Sequence, residues 1–498
     1  MTVNTEEFDA IVVGGGPGGS SAATFVAMRR HRVLLLERER LPVYKIGESL
    51  LPSTIHGVCA MLGVGEDIKR AGFVKKWGGT FRWGRNREPW TFAFSQSARF
   101  QSPTAYAYQV ERLKFDSILL NNARSKGVDV REGCKVTDLI IEDGRLVGVK
   151  FFDTQGESRS ARAPYIVDAS GHTSPLARFA GEKIYSTFFR NVAIFGYYLN
   201  GKRLPEPCSG NIFSAAFDRG WFWYIPLSHT LTSVGAVIGQ EYVHILQQGP
   251  EAALTALVKS CSQVQELLEG ASRAKDDPYA EVRVRKDYSY THTRFWQRGL
   301  VLIGDAACFV DPIFSSGVHL ATYSALLAAR AINTCLRGDL TEDLVFSEFE
   351  RRYRREYKLF YDFLVAFYDV DQDLETYYWC ARKVVDGCEN GNEAFIQLVG
   401  GVAGSGEHLY NSASEFVETP ERFSKCLFPA ADVGSGMYVG ETASSAQRES
   451  FMAALTAEGT QMQIRGTCPI VGTEAPLFDG GLIPSKDGLH WKLPASNF

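Results

Sequence analysis

The sequence predicts an α/β fold in which a parallel sheet is combined with an antiparallel sheet and a C-terminal helical region. Short apolar runs that lead into glycine or aspartate are typical of buried parallel strands. They occur at residues 9–13, 165–168 and 301–305. Strand-like runs between residues 192 and 239 indicate a separate, mainly antiparallel sheet. Two long helical segments follow, at about residues 318–336 and 343–370.

Composition narrows the class of protein. The chain has 498 residues, and 53 Lys and Arg against 57 Asp and Glu give a net charge of −4 with no basic run. We therefore expect neither a nucleic-acid partner nor binding to an anionic membrane. No apolar stretch approaches the ~18 residues that a membrane span needs. The polar, acidic residues 1–7 do not resemble a secretory signal, so a cytoplasmic location is expected.

Cysteine and histidine spacing argues against disulfide and metal chemistry. The ten cysteines are scattered without a CxxC pair, and the nine histidines are equally dispersed. Zinc sites and disulfide frameworks use recognisable ligand spacings, which this sequence lacks. We expect reduced thiols and no metal site.

The first elements form a βαβ unit, with strands predicted at residues 9–13 and 31–37 and a helix at 20–29 between them. Glu37 ends the second strand. A carboxylate at that position can accept hydrogen bonds from ribose hydroxyls.

The loop that joins the first strand to the helix has the pattern GxGxxG, formed by Gly14, Gly16 and Gly19. Gly14 permits the tight turn, and Gly16 lets the backbone approach a pyrophosphate. The helix N-terminus offers unpaired amides to the phosphates. A glycine-rich loop alone can be merely structural. In register with strand, helix, second strand and acid, it predicts a Rossmann-type dinucleotide site.

Later segments extend this scheme. A helix is predicted at residues 112–126, and Asp143-Gly144 predicts a hairpin turn between residues 139–141 and 146–149. The runs of the antiparallel sheet are residues 192–199, 221–226 and 231–238.

Three units follow from these elements. We predict a discontinuous cofactor domain at residues 1–190 and 281–335 and a substrate-side sheet domain at residues 191–280. Residues 336–498 are predicted to form a mainly helical region whose pattern weakens beyond residues 400–406, with an irregular tail over about the last 30 residues.

Three further segments favour FAD over NAD as the dinucleotide. Arg112 begins a helix from which its guanidinium can face the cofactor, although it could equally lie on the surface. Residues 168–171 and 304–307 each follow a buried strand. Asp305 can bind the ribityl or pyrophosphate part of a long cofactor, or it could only cap a helix. Together the motifs resemble the FAD-dependent monooxygenase superfamily over residues 9–320.

Residues 221–226 read Trp-Phe-Trp-Tyr-Ile-Pro, the pattern WxWxIP. Aromatic strands are common as ordinary core. Within an FAD scaffold, this pattern resembles the signature of flavin-dependent halogenases. The resemblance implies that Trp221, Trp223, Ile225 and Pro226 form a partition between flavin and substrate.

A second halogenase-like motif is KKWGGTFRWG at residues 75–84. Halogenases carry a lysine shortly before such a strand, and the matching residue is Lys76 rather than its neighbour Lys75. The resemblance implies that Lys76 is the catalytic residue. Without it, a lysine is usually a solvated surface residue.

Two more segments resemble parts of the halogenase flavin site. Ile46, Gly47, Glu48 and Ser49 are similar to a segment that lies along the flavin, although Glu48 could equally cap a local turn. Residues 311–317 are similar to a loop beside the isoalloxazine, with Pro312 and Gly317 as cofactor contacts. The amides of Ser316 and Gly317 could bind chloride at the helix N-terminus, and the plain alternative is a capped helix start.

Across nearly the whole chain, the sequence resembles halogenases that act on carrier-protein-bound aromatic groups in nonribosomal peptide and polyketide pathways. The glycopeptide-type tyrosyl halogenases and the chondrochloren type are the nearest group. Free-tryptophan halogenases have a glutamate after the Asp-Pro pair, where this chain has Phe314. The difference favours a tethered substrate and leaves open what supports Lys76.

The resemblance implies the reaction and its partners. FADH2 from a separate NAD(P)H-dependent flavin reductase, O2 and chloride yield hypochlorous acid, which reaches Lys76. The expected substrate is a tyrosyl or related phenolic group on a peptidyl or acyl carrier protein, in antibiotic-type biosynthesis. Two alternatives remain at this point: an FAD-dependent aromatic hydroxylase and a noncatalytic flavin-binding protein.

Overall fold

The structure is a computed structural model. It describes residues 6–40, 43–85, 88–97, 99–100, 104–286, 289–369, 374–385, 390–403 and 476–494. Of the irregular tail predicted over about the last 30 residues, residues 476–494 are described, and they include the short strand pair Ile483–Pro484 and Trp491–Lys492.

A six-stranded, mainly parallel sheet forms the first layer. Its order is Trp296–Gln297, Leu300–Leu302, Tyr165–Asp168, Ala10–Val13, Val33–Glu37 and Asp129–Glu132. Every neighbouring pair is parallel except the first, which is antiparallel. The sheet is therefore discontinuous in sequence, as predicted. Its central strands are buried, which explains their continuous apolar runs.

The helix after the first strand is Pro17–Ala27, and it begins three residues before the predicted start. Proline is favoured in the first helical turn, where its missing N–H costs no hydrogen bond. The predicted hairpin is also present, with strands Lys135–Glu142 and Arg145–Phe152. Asp143 and Gly144 both have positive φ at its turn. The hairpin joins Ser158–Arg162 and Glu6–Glu7 in a four-stranded sheet.

A mixed eight-stranded sheet forms the second layer. Its order is Ser272–Arg273, Asn191–Leu199, Leu231–Gly239, Gly220–Pro226, Ile212–Phe217, Gly78–Arg82 and Trp90–Ala93, with Arg283–Lys286 also paired to Asn191–Leu199. The three predicted strands are confirmed as its antiparallel centre. Sequence reasoning missed Ile212–Phe217, which joins Gly78–Arg82 in parallel. Two strands, Gly78–Arg82 and Trp90–Ala93, thus come from the segment assigned in sequence to the cofactor domain.

The predicted long helices are confirmed as Ser316–Arg337 and Glu342–Phe367. The aromatic stripe on the second helix packs into the core, where Phe349 and Phe363 are buried completely. The other α-helices are Ala60–Leu62, Gly65–Arg70, Arg112–Ser125, Pro250–Lys259, Ser262–Leu267, Leu374–Val384 and Gly391–Val399. Among the described helices, none combines the length and apolarity needed to cross a membrane.

Shorter elements complete the chain. One π-helical turn is Ser53–Cys59, and the 3-10 segments are Phe94–Gln96, Ala177–Phe179, Gln240–Gln248 and Gly304–Ala306. The remaining strands are Val74–Lys76 with Ala107–Gln109, Lys183–Tyr185 with Tyr290–His292 and Cys308–Phe309, and Ile483–Pro484 with Trp491–Lys492.

Candidate active site

The glycine loop leaves the first strand at Gly14, whose φ is +106°. A Cβ atom on Gly14 would collide with the Ala169 carbonyl, and one on Gly19 would collide with the Gly14 carbonyl. A Cβ atom on Gly16 would meet nothing within 4 Å. Two glycines therefore permit close backbone packing, whereas the third borders open space. This is the division of roles that pyrophosphate binding requires.

Glu37 and Arg112 lie at two further points of the predicted cofactor site. Glu37 Oε2 accepts a hydrogen bond from the Gly15 amide at 2.6 Å. Arg112 is only 8% exposed and forms a bidentate pair with Asp116 at 2.8 and 2.9 Å. Its Nη1 donates to the Ile46 carbonyl at 2.6 Å. Arg112 is therefore an internal group, and the surface alternative is wrong.

Asp168 is the last residue of the strand Tyr165–Asp168, and Asp305 follows the neighbouring parallel strand Leu300–Leu302. Buried Asp168 accepts hydrogen bonds from the Ser170 amide and hydroxyl at 3.1 and 2.6 Å, which fixes the loop beside Gly14. Burial raises the pKa of Asp305 to about 6, and the positive charge of Arg112 opposes this increase. The positive charge of Arg112 therefore acts on the carboxylate of Asp305 and favours its ionised form.

A cavity brings together most of the predicted flavin and partition residues. It is lined by Ile46, Gly47, Glu48, Ser49, Ile212, Trp221, Trp223, Ile225, Phe309, Pro312, Ser315, Gly317 and Val318. Pro226 and Ser316 were predicted for this region but do not line the cavity. Residues from four separate parts of the sequence therefore surround one space.

Trp221 and Trp223 form one wall of this cavity, called the indole wall below, and the alternation of side chains along their strand explains why both face it. Trp221, Trp223 and Ile225 point to the cavity side of Gly220–Pro226, because successive side chains on a strand face opposite ways. By the same alternation Pro226 points to the other face of the strand, so it cannot serve as part of the wall itself.

Hydrogen bonds fix both indoles. Trp221 Nε1 donates to the Tyr368 hydroxyl at 2.8 Å, and Trp223 Nε1 donates to Ser233 Oγ at 3.2 Å. Gly235 lies opposite Trp223, where any Cβ atom would overlap the indole ring. Sequence reasoning missed Tyr368, Ser233 and Gly235. No local motif marks them, because they meet the tryptophans only through tertiary packing.

Lys76 ends the short strand Val74–Lys76 and is 3% exposed. Its Nζ donates to Ser49 Oγ at 3.0 Å and to the Leu50 carbonyl at 3.1 Å. The Phe94 ring centroid lies 5.7 Å from the same nitrogen. No carboxylate pairs with Lys76 in the described residues, and burial lowers its pKa to about 7. The amine is thus available in both its neutral and its charged form near neutral pH.

Lys75 and Lys76 point to opposite faces of their strand, as adjacent strand residues do, so Lys75 is exposed and Lys76 is buried. The ammonium group of Lys75 lies 4.7 Å from the Tyr106 ring centroid. Ser49 lines the cavity and also accepts the hydrogen bond from Lys76. The buried amine is therefore separated from the cavity by one side chain, which is not the case for Lys75.

The loop before Ser316–Arg337 is tightly constrained. Asp311 accepts hydrogen bonds from the Ile313 amide at 3.1 Å and the Tyr368 hydroxyl at 2.7 Å. Ser315 adopts a left-handed conformation with φ of 60°. The hydroxyl of Ser316 is buried without a hydrogen-bond partner among the described residues. Gly317 lines the cavity at the helix N-terminus, where amide groups favour an anion.

Phe314 lies in an aromatic cluster instead of beside a polar group. Its ring centroid is 5.3 Å from that of Phe363, 4.8 Å from that of Phe367 and 6.1 Å from that of Phe395. A carboxylate in this position would be buried among phenyl rings. Lys76 is instead supported by a hydroxyl and a carbonyl, which answers the question that the sequence left open.

The sequence matches the protein family described as "Tryptophan halogenase" over residues 9–102 and 96–438. The chain belongs to the tryptophan halogenase family. The Tryptophan 2-halogenase of Chondromyces crocatus is 34% identical over 411 residues, covering 80% of this chain and 76% of the relative. The flavin-dependent halogenase gsfI of Penicillium aethiopicum is 32% identical over 377 residues, covering 70% and 69%.

Solved halogenase structures are also similar. The myxobacterial chondrochloren halogenase CndH is 50% identical with a TM-score of 0.75, covering 98% of this chain and 100% of that chain. The flavin-dependent halogenase CmlS is 28% identical with a TM-score of 0.72, covering 98% and 84%. The predicted fold class and halogenase family are confirmed. The hydroxylase and noncatalytic alternatives are set aside in favour of a flavin-dependent halogenase, an oxidoreductase that uses FAD with chloride and O2.

The open space at Gly16 generates a test of the FAD site in this halogenase. Gly16→Ala should leave the unfolding temperature of the apoprotein unchanged but weaken FAD binding at least about tenfold, because the methyl group occupies the phosphate space. Thermal unfolding and fluorescence titration with FAD measure the two effects. Gly65→Ala, which also adds a methyl group in open space but lies in the helix Gly65–Arg70, should leave FAD affinity unchanged. Unaltered FAD affinity of Gly16→Ala would contradict the assignment.

The buried amine generates a second test. Burial lowers the pKa of Lys76 from 10.5 to about 7, so the unfolded chain binds more protons between these values. The free energy of unfolding should therefore rise with pH across this window. Lys76→Met should stabilise the halogenase at pH 7 by on the order of 2 kcal/mol, with a smaller gain at pH 10. Denaturant unfolding at both pH values measures this difference. Exposed Lys75→Met is the control, and an equal gain for Lys76→Met at both pH values would disprove the pKa shift.

Proposed function

We propose that this halogenase chlorinates an electron-rich aromatic ring, a tyrosyl or related phenolic group carried by a peptidyl carrier protein, in natural-product biosynthesis. The observation that carries the halogenation step is the buried Lys76 amine, which Ser49 separates from a cavity with an indole wall.

The proposed cofactor site consists of the glycine loop, Glu37, Arg112, Asp305, residues 46–49, Pro312 and Gly317. The open space at Gly16 and the cavity beyond residues 46–49 fit a long dinucleotide. Bound and reduced FAD would supply two of the four electrons that reduce O2, and the oxidation of chloride would supply the other two. Flavin-dependent halogenases need a separate flavin reductase for this purpose, and we expect the same here, because the sequence contains a single GxGxxG motif.

In this proposal chloride binds at the N-terminus of Ser316–Arg337. Gly317 lines the cavity and would offer its amide, and the hydroxyl of the preceding Ser316, buried without a partner among the described residues, would be the second donor. Both are neutral hydrogen-bond donors beside the positive end of a helix dipole. They would therefore stabilise an anion without the permanent charge that would bind chloride too tightly to react.

The indole wall and Lys76 divide the reaction between two spaces. Trp221 and Trp223 are fixed by hydrogen bonds, so the wall keeps an organic ring out of the cavity while hypochlorous acid is small enough to leave it. The neutral Lys76 amine can take chlorine from hypochlorous acid, forming an N–Cl bond and releasing water. The charged form can instead hold hypochlorous acid by a hydrogen bond. In either case the aromatic ring takes chlorine, loses a proton and leaves Lys76 unchanged.

The phenolic, tethered substrate is supported by two observations. Phe314 replaces the carboxylate of free-tryptophan halogenases and is part of a cluster of phenyl rings. The similar structure that is 50% identical over 98% of this chain is that of a chondrochloren halogenase. Free tryptophan is the second candidate, because a relative that is 34% identical carries the name Tryptophan 2-halogenase.

The role of Lys76 is tested by product formation. Lys76→Ala should bind FAD normally but lower chlorination by a factor of about 100 or more, since Lys76 is the amine that donates to Ser49 in the described part of the chain. Mass spectrometry of product and fluorescence titration of FAD measure the two properties. Lys75→Ala should chlorinate as the wild type does. Product formation at the wild-type rate by Lys76→Ala would remove this lysine from the reaction.

Substrate class is tested in parallel assays with reduced FAD, O2 and chloride. Tyrosyl-loaded carrier protein should be chlorinated, whereas free tyrosine and free tryptophan should react at least about tenfold more slowly, because the tether positions the ring. Omission of halide should abolish all modified product. Preferred turnover of free tryptophan would overturn the proposed substrate, and halide-independent oxygen insertion would overturn halogenation itself.

A further inference from the structure

We propose that Tyr44, Tyr197 and Glu48 form a proton relay from the protein surface to the cavity, supplying a proton that each halogenation cycle consumes. The inference rests on the proposed placement of the flavin in this cavity. It adds to the halogenase a catalytic residue, Glu48, and two residues that position and replenish its proton.

The overall stoichiometry requires such a supply. Reduced FAD (FADH2), O2, chloride, one proton and an aromatic C–H give oxidised FAD, an aromatic C–Cl bond and two water molecules. Two of the four electrons that reduce O2 come from the flavin, and two come from the formation of the C–Cl bond. The proton must reach the cavity in which chloride is oxidised, and an acid that lines this cavity can deliver it there.

Glu48 is the acid at the inner end of the relay. It lines the cavity, and its side chain is 2% exposed. The hydroxyl of Tyr197 donates to Glu48 Oε1 at 2.5 Å. Glu48 forms no ion pair with any described residue, because the nearby Arg112 is engaged by Asp116 and the Ile46 carbonyl. Its carboxyl group is thus free to gain and lose a proton.

Tyr44 is the outer end. Its hydroxyl is hydrogen-bonded to that of Tyr197, and Tyr44 is partly exposed whereas Tyr197 is completely buried. The centroid of the Tyr44 ring lies 3.8 Å from the Arg283 guanidinium carbon. Because Tyr197 donates to Glu48, it accepts from Tyr44, so both hydroxyls point their protons inward. The neighbouring Tyr279 packs against Tyr197 but donates to Glu111 at 3.0 Å. It therefore leads away from the cavity.

The charges around Glu48 suit it to carry a proton near neutral pH. Burial raises the pKa of Glu48 to about 7; the Tyr197 and Ser233 hydrogen bonds and the Arg112 charge oppose this increase, and Glu111 adds to it. Burial also raises the pKa of Tyr44 and Tyr197, so both phenols stay protonated. Phenols that remain neutral pass protons by exchanging them along the hydrogen bonds. Below about pH 7 Glu48 holds its proton, and above it the tyrosines must replenish it.

Infrared spectroscopy of the holoenzyme with oxidised FAD tests the acid independently of turnover. The difference between spectra at pH 6 and pH 8 should contain the carbonyl band of a protonated carboxylic acid that Glu48→Gln lacks. Tyr197→Phe removes a hydrogen bond to the carboxylate, so it should move this titration to higher pH, while Tyr198→Phe should leave it in place. Tyr198 is the matched control because it is the next residue of the same strand and packs in a different cluster.

Kinetics test the relay itself. A chemical trap for hypochlorous acid measures halide oxidation without any aromatic substrate, so a wrong substrate assignment does not affect the result. Tyr197→Phe should lower the trapped product at least about tenfold at pH 8 and much less at pH 6, with a larger solvent deuterium isotope effect. Tyr198→Phe should behave as the wild type. Wild-type rates for Tyr197→Phe at both pH values, or a Glu48-dependent carbonyl band missing at pH 6, would overturn the proposal.

Discussion

The chemistry proposed for this site depends on the burial of the Lys76 amine, which has no carboxylate partner among the described residues. An isolated ammonium group in a protein interior is unfavourable, and the protein responds by favouring its neutral form. The decrease in pKa from 10.5 to about 7 corresponds to a cost on the order of a few kcal/mol. Other interactions in the fold must therefore offset this unfavourable free energy. The aromatic packing around Phe94 and the pairing of Val74–Lys76 with Ala107–Gln109 hold the side chain in place.

Glu48 and Ser49 lie between this amine and the cavity. An acid therefore lies on the cavity side of these residues and a base on the other. Glu48 faces the cavity with a pKa raised to about 7, while Ser49 binds Lys76, whose pKa is lowered to about 7. Burial causes both shifts, in the direction that disfavours charge on each group. One group can therefore donate a proton on one side of residues 46–49, while the other stays nucleophilic behind them. A solvated glutamate and lysine would both be charged and could do neither.

Local pattern explains why much of the fold was predictable. The buried strands, the hairpin at Asp143-Gly144 and the two long helices are each specified by neighbouring residues, and all are present. Strand Ile212–Phe217 was missed although it forms a local hairpin with Gly220–Pro226. Its parallel pairing with Gly78–Arg82 joins segments more than 130 residues apart, which no local pattern indicates. The motifs that resemble halogenases identified Lys76, Trp221 and Trp223.

The supporting residues of the site could not be predicted in the same way. Tyr197 contacts Glu48 across 149 positions, and Tyr368 contacts Trp221 across 147. Neither lies in a recognisable motif. Burial and the pKa values that follow from it arise only when these distant segments pack together, so the chemical state of Lys76 and Glu48 was not readable from the sequence.

Phe314 shows how one apolar residue constrains the reaction. A carboxylate at this position would have to be buried against Phe363 and Phe367. If it also reached Lys76, it would stabilise the ammonium form and raise the pKa of the amine. A phenyl ring adds no such charge, and it supplies no hydrogen bond with which to orient an incoming aromatic ring. In the proposed reaction, orientation would come from another part of the substrate. A covalent tether meets this requirement, because it replaces polar contacts to the ring with a fixed point of attachment and raises the effective concentration of the ring at Lys76.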